Sequence, residues 1–153
     1  MEAVYRLTSA ILGDEADARD AAQETFVAAW RQVARLKDPD RFDAWLQRVA
    51  VNASRMTLRA RGRRRVREIP ASGVIATSGR RVAEPSAEAD AGRLDAALGA
   101  LPVEQRAILV LHHLEGRPLA ELSAILDVPV GTAKSRLFAA RRALAAALGR
   151  DEQ

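Results

Sequence analysis

Cysteine is absent from the 153-residue chain, so no disulfide framework or cysteine-based metal site can form. Aromatic residues make up only 4% while alanine is abundant, a balance that favours tightly packed helices over a sheet. No apolar run approaches the ~18–20 residues needed to cross a bilayer. The start, MEAVYRLTSAIL, lacks the basic, apolar and small-residue segments of a signal peptide, so a cytoplasmic location is expected. Enzymatic groupings are missing too. Asp20 and Glu24 lie four apart, but no nucleophile, phosphate loop or metal ligand accompanies them. Adjacent histidines on a helix diverge, and His112 and His113 have no third ligand at a useful spacing, so no metal and no cofactor is expected. Net charge is +4 at pH 7, and the excess is arginine. That balance fits a polyanionic partner, nucleic acid above all.

The most informative stretch runs from Pro118 to Leu148. Leu119, Leu122, Ile125 and Leu126 recur at helical spacing. Asp127-Val128-Pro129 then forces a turn, because proline disfavours helix at the residue before it and cannot continue one. A longer helix starts near Val130-Gly131-Thr132, with Ala133, Leu137, Ala140 and Leu144 inside. Lys134, Ser135, Arg136, Phe138, Arg141 and Arg142 lie outside. This is the helix-turn-helix pattern, whose second helix enters the DNA major groove. Basic side chains in a first helical turn oppose the helix dipole, a choice that suits an end facing phosphate.

Upstream, Val4, Leu7 and Ile11 predict a short amphipathic helix over residues 2–12, ended by Gly13. Asp14 is the expected cap of a long second helix, with a buried stripe of Ala18, Ala22, Thr25, Phe26, Ala29, Trp30 and Val33. Asp17, Asp20, Gln23, Glu24 and Arg31 fall outside. A third helix, capped by Asp38 or Asp40, places Phe42, Trp45, Leu46, Val49, Ala50 and Ala53 inward. It runs on, or restarts near Asn52, into an arginine block at 55, 59, 61, 63, 64, 65 and 67, the mark of a nucleic-acid surface or a solvated tail. The helical spacing of Trp30 and Trp45 with Phe26 and Phe42 casts both tryptophans as core anchors rather than stacking platforms.

Residues 68–90 are punctuated by proline, glycine and serine and read as a flexible linker, with Val74-Ile75-Ala76 as extended chain. Beyond it, Leu94, Ala97, Leu98 and Leu101 mark one helix. Pro102 opens another, whose inner residues are Ile108, Leu109, Leu111 and Leu114 and which ends at Gly116. The expected fold is all-α: a helical domain over 1–67, the linker over 68–90, and a helix-turn-helix domain over 91–149.

Taken together, these segments resemble an extracytoplasmic-function sigma factor of the bacterial sigma-70 family. DARDAAQETFVAAW at 17–30 and RFDAWLQRVAVNASRMTLRARGRRR at 41–65 are similar to region 2. LDAALGALPVEQRAILVLHHLEGRPLAELSAILDVPVGTAKSRLFAARRAL, from Leu94 to Leu144, is similar to region 4. The resemblance implies a non-enzymatic subunit that directs RNA polymerase core to −35 and −10 promoter elements and helps open the latter. Its implied partners are promoter DNA, the polymerase core through the β′ clamp helices and the β flap, and an anti-sigma factor.

Carried to these positions, Asp20, Gln23 and Glu24 would dock on the clamp helices. Asn52 would lie by the flipped −10 base, where an amide can both donate and accept. Arg55, Arg59 and Arg63 would bind phosphates. Thr132, Lys134, Ser135, Arg136, Phe138 and Arg141 would serve the −35 element. The chain also departs from the pattern. Its first helix is short, which is expected to leave the Phe26–Trp30 stripe poorly covered. Pro118 stands where many members carry a capping hydroxyl, and Ala139 where others carry a long basic side chain. Arg55-Met56-Thr57 replaces a stretch that often holds an aspartate. Two rival readings stand beside this one: a self-sufficient dimeric regulator that binds duplex without polymerase, and a sigma-like decoy that only titrates an anti-sigma partner.

Overall fold

The computed structural model describes residues 1–67 and 87–150, and every regular element among them is helical. Helix α1 (Glu2–Leu12) buries Val4, Leu7 and Ile11 as its periodicity predicts. It ends at Gly13, whose φ of 69° lies in the left-handed region where a side chain would be strained. The Asp14 carboxylate then accepts the Asp17 N–H at 2.9 Å and starts α2 (Glu15–Gln32). A buried hydroxyl joins the two helices: Thr8 Oγ1 donates to the Ala18 carbonyl at 2.9 Å. The contact face of α2 is small, with Ala18, Ala21, Ala22 and Thr25 buried, so the helices approach closely.

The far end of α2 departs from expectation. Trp30 is 85% exposed and Val33 is exposed, while Phe26 is half-buried. The reason is reach: three-turn α1 packs along the start of α2, and Trp30 lies four turns in, so Trp30 is not a core anchor. A 3₁₀ turn (Val33–Arg35) follows. Asp38 accepts the Asp40 N–H at 3.1 Å over a second 3₁₀ turn, Pro39–Arg41, that opens α3 (Phe42–Arg67). Helix α3 is continuous through Asn52 and takes in the arginine block. Its fully buried residues are Ala50, Val51 and Ser54. The expected stripe is rotated because α3 is covered on two sides, by α1 and α2 and by the second half of the chain. Phe42 and Trp45 stay at the open end, ring centroids 5.8 Å apart.

The second group begins with α4 (Ala87–Gly99), four residues before the expected boundary at Ala91, so residues 87–90 are helix rather than linker. The rest of the expected linker, with Val74-Ile75-Ala76, lies outside the described residues. Pro102 is the cap of α5 (Val103–Leu109), which widens into a π turn over Val110–Leu114. Gly116, at φ 67°, breaks the helix ahead of α6 (Leu119–Leu126). Asp127 takes φ 55°, uncommon outside glycine, and with Pro129 makes the sharp turn into α7 (Val130–Arg150). Ala133, Leu137 and Ala140 of α7 are buried against α5 and α6. One apolar cluster runs through both groups, from Leu7, Ile11 and Val51 to Ile108, Leu111, Leu122 and Ile125. Helix α6 sits between α3 and α7, and α1 packs on α5 and the π turn.

Candidate nucleic-acid interface

The helix-turn-helix frame sets its outer face by subtraction. Once Ala133, Leu137 and Ala140 are committed to the core, Lys134, Ser135, Arg136 and Phe138 must point away, and all four are exposed. Thr132 is half-buried beside the turn. Ser135 Oγ donates to its own helix, to the Gly131 and Thr132 carbonyls at 3.1 and 3.2 Å. Phe138 is 62% exposed, with the Arg142 guanidinium 5.8 Å from its ring centre. Such a face offers two cations, a rotatable hydroxyl and a flat apolar surface to a groove.

Arg141 is the exception among the α7 candidates. Its Nε donates to His113 Nε2 at 3.3 Å, so it leans toward the π turn rather than standing beside Lys134. That bond requires an unprotonated His113 nitrogen. Burial, then the neighbouring His112 and Arg141, hold the His113 pKa below its ordinary value. These two residues are 28 apart in sequence, and no local signal foretells their contact.

On α3, Asn52, Arg55, Arg59 and Arg63 follow at intervals of three, four and four, which places them on one face. Asn52, Arg59 and Arg63 are exposed. Arg55 is drawn inward: its Nη1 donates to Asn52 Oδ1 at 3.4 Å, and its Nε lies 3.4 Å from Glu104 Oε1 on α5. The arginine block is therefore not uniform, since Arg61 also turns in, pairing with Asp17 at 3.1 Å.

On α2, Asp20, Gln23 and Glu24 share one exposed face. Val27, four residues on from Gln23, and Trp30, three beyond Val27, extend that face with apolar surface. The apolar periodicity had assigned Trp30 to the core. The signal that could have found it is its continuation of the Gln23–Val27 row. Arg106 of α5 is a further residue not singled out from sequence: its Nη1 donates to the Ile11 carbonyl at 2.7 Å. Burial, and then the nearby Arg61, lower its pKa. Among the described residues no group of three or more metal-ligating side chains converges.

Comparison with known proteins matches two family models to the chain, Sigma-70 region 2 over residues 1–64 and Sigma-70, region 4 over residues 91–144. The ECF RNA polymerase sigma factor SigE of Mycolicibacterium smegmatis is 35% identical over 92% of the chain, which spans 55% of that relative's length. The RNA polymerase sigma-H factor of Pseudomonas aeruginosa is 31% identical, covering 88% of this chain and 75% of that one. The ECF RNA polymerase sigma-E factor of Haemophilus influenzae is 34% identical, covering 82% and 71%. In fold, the chain is similar to CnrH, solved with the cytosolic domain of CnrY: TM-score 0.68, 30% identity, 98% of this chain and 82% of that one. It is also similar to Bartonella quintana RpoE, solved with the anti-sigma factor NepR: TM-score 0.73, 23% identity, 97% and 91%.

Proposed function

The chain belongs to the extracytoplasmic-function sigma factors of the sigma-70 family, and on that premise we propose that it directs RNA polymerase core to two-part promoters. The observation that carries the reading is the exposed run Lys134, Ser135, Arg136 and Phe138 directly behind a helix-turn-helix. Residues 87–149 form the −35 module, with Thr132 and Arg141 at the margins of its face. Residues 1–67 form the −10 module. There Asn52 reads an unstacked base, which costs little to extrude once the duplex is melted. Arg59, Arg63 and, once released, Arg55 neutralise phosphate, a contribution that falls as salt rises. Asp20, Gln23 and Glu24 meet the β′ clamp helices, an acidic face on a rigid helix against a basic partner.

Each module binds weakly alone. Joining them through residues 68–86 raises the effective concentration of the second once the first is engaged. The protein supplies recognition and strand capture and performs no covalent chemistry. It works in the cytoplasm, where polymerase and promoters are. An anti-sigma partner is supported by the sigma factor RpoE, of like fold, which was solved bound to the anti-sigma factor NepR.

The test is transcription in vitro. Core polymerase from the source organism is given fragmented genomic DNA with and without the protein, and new starts are mapped. New starts sharing two motifs about one and a half helical turns apart are expected. A folded protein that adds no starts overturns the reading.

A further inference from the structure

A cleft of about 1220 Å³ lies where α1, the end of α3, α4, α5 with its π turn, and α7 meet. That is ample for a small molecule, since ligand pockets run from about 300 to 1,000 Å³. None of the residues assigned above to DNA or polymerase lines it. Leucine dominates its apolar lining: Leu58, Leu94, Leu98, Leu114 and Leu144 come from four different elements. Leu94 and Leu114 are 42% and 57% exposed, so the concavity leaves large apolar side chains in water. Such a surface favours an apolar occupant.

The same cleft carries two polar groups without partners. Ser9 Oγ of α1 and Arg106 Nε of α5 are shielded from solvent and make no hydrogen bond. Leaving a buried donor unpaired is costly, and more so on a charged group. Arg106 is committed on one side only, where Nη1 donates to the Ile11 carbonyl at 2.7 Å. Its Nε side is an edge that can receive a carboxylate with two parallel bonds. Among the described residues no carboxylate lies within ion-pair distance of Arg106. Burial and the nearby Arg61 both disfavour its charge, and an anion at that edge offsets both.

The other charged groups on the wall decide what kind of anion fits. Arg61 is already paired with Asp17 at 3.1 Å, and Glu15 with Arg19 at 2.7 Å. The Asp14 carboxylate is taken by the start of α2, and Asp95 of α4 is a further acid. His113 lines the cleft with its Nε2 bonded to Arg141. With acids in the majority and Arg106 the one unpaired cation on this wall, a polyphosphate meets repulsion, whereas a single carboxylate finds a partner.

We propose that the cleft is a binding site for a small amphipathic monocarboxylate, its carboxylate taken by Arg106 and Ser9 Oγ and its hydrocarbon lying against the leucines. Because Arg106 Nε is shielded from water, the ligand must part the side chains that cover it. The return is a charge-assisted bond that solvent does not supply. The site makes the chain a receptor for a small organic acid, a role separate from promoter reading.

The test is isothermal titration calorimetry on the full-length protein, with octanoate as the probe and 1-octanol as its neutral counterpart. Saturable binding of octanoate is expected, with 1-octanol about tenfold weaker. Arg106→Gln keeps a donor for the Ile11 carbonyl and removes the charge. It should weaken octanoate about tenfold and leave 1-octanol unchanged. Leu94→Glu, at an exposed position, adds an acid to the wall and should weaken octanoate more than 1-octanol. It decides the matter if Arg106→Gln loses its helical circular dichroism. No saturable octanoate binding, or equal binding of octanoate and 1-octanol, overturns the site. So does an octanoate affinity left unchanged by a variant that keeps its helical circular dichroism. The titration contains no polymerase and no DNA, so its outcome is independent of the promoter reading.

Discussion

Helices α3 and α7 both carry basic, polar outer faces, yet they were unequally legible. In α7 the buried and exposed residues separate cleanly: Ala133, Leu137 and Ala140 in, Lys134, Ser135, Arg136 and Phe138 out. One side of α7 meets its neighbours and the other meets solvent, so a single period describes it. Helix α3 is covered from two directions, and its buried positions are the small residues Ala50, Val51 and Ser54 rather than its aromatics. A helix clasped on both sides obeys no single amphipathic stripe. Such a helix is also coupled to both neighbours, which makes α3 the place where a change in one half is felt by the other.

The strongest way to break this contrast is through α6, which separates the two helices. Leu122→Ala removes a fully buried side chain from the common cluster and should cost about 2–5 kcal/mol. Both tryptophans lie in the first half of the chain. If the halves share one core, urea unfolding followed by tryptophan fluorescence shifts to lower urea. A transition that stays in place would mean α3 unfolds independently of α6 and α7.

Next in size are the residues of α7 proposed to read the −35 element. Lys134→Ala and Arg136→Ala should each remove about 1–3 kcal/mol of −35-dependent binding, seen as reduced initiation at promoters that need that element. Parent-like initiation by both variants would move the recognition face elsewhere. On α3, Asn52→Ala should cost about 1 kcal/mol, read as slower strand opening with polymerase affinity kept. Lost polymerase binding would instead make Asn52 a folding residue.

The smallest effect is at the Arg141–His113 contact. The folded-state pKa of His113 is depressed, so below its ordinary value the unfolded chain binds the additional proton. Stability from this group is present above about pH 6.5 and is lost as pH falls through the folded-state value. His113→Gln should flatten that part of the pH–stability profile, and an unchanged slope would place the sensitivity elsewhere.

Local chemistry made much of the fold readable. The Gly13 stop, the Asp14 cap and the Asp127–Pro129 turn each follow from the backbone preferences of one or two residues, and each stands where the sequence puts it, while of the two candidates Asp38 and Asp40 the structure uses Asp38, on the 3₁₀ turn ahead of α3. The outer face of α7 was readable for the same reason. The placement of Trp30 was not, because how far α1 reaches along α2 depends on packing rather than on the residues flanking Trp30. The Glu104 partner of Arg55, the His113 partner of Arg141 and the Glu115 carboxylate that accepts from Arg6 and Gln47 join residues 28 to 109 apart. Periodicity and capping act over a few residues and carry no information at that range. The order of helices, their ends and the charged faces were thus written in the chain. Which of those faces stay free, and that the two halves close on one another, came only from three-dimensional packing, where apolar burial and the pairing of buried charge are decided by distant neighbours.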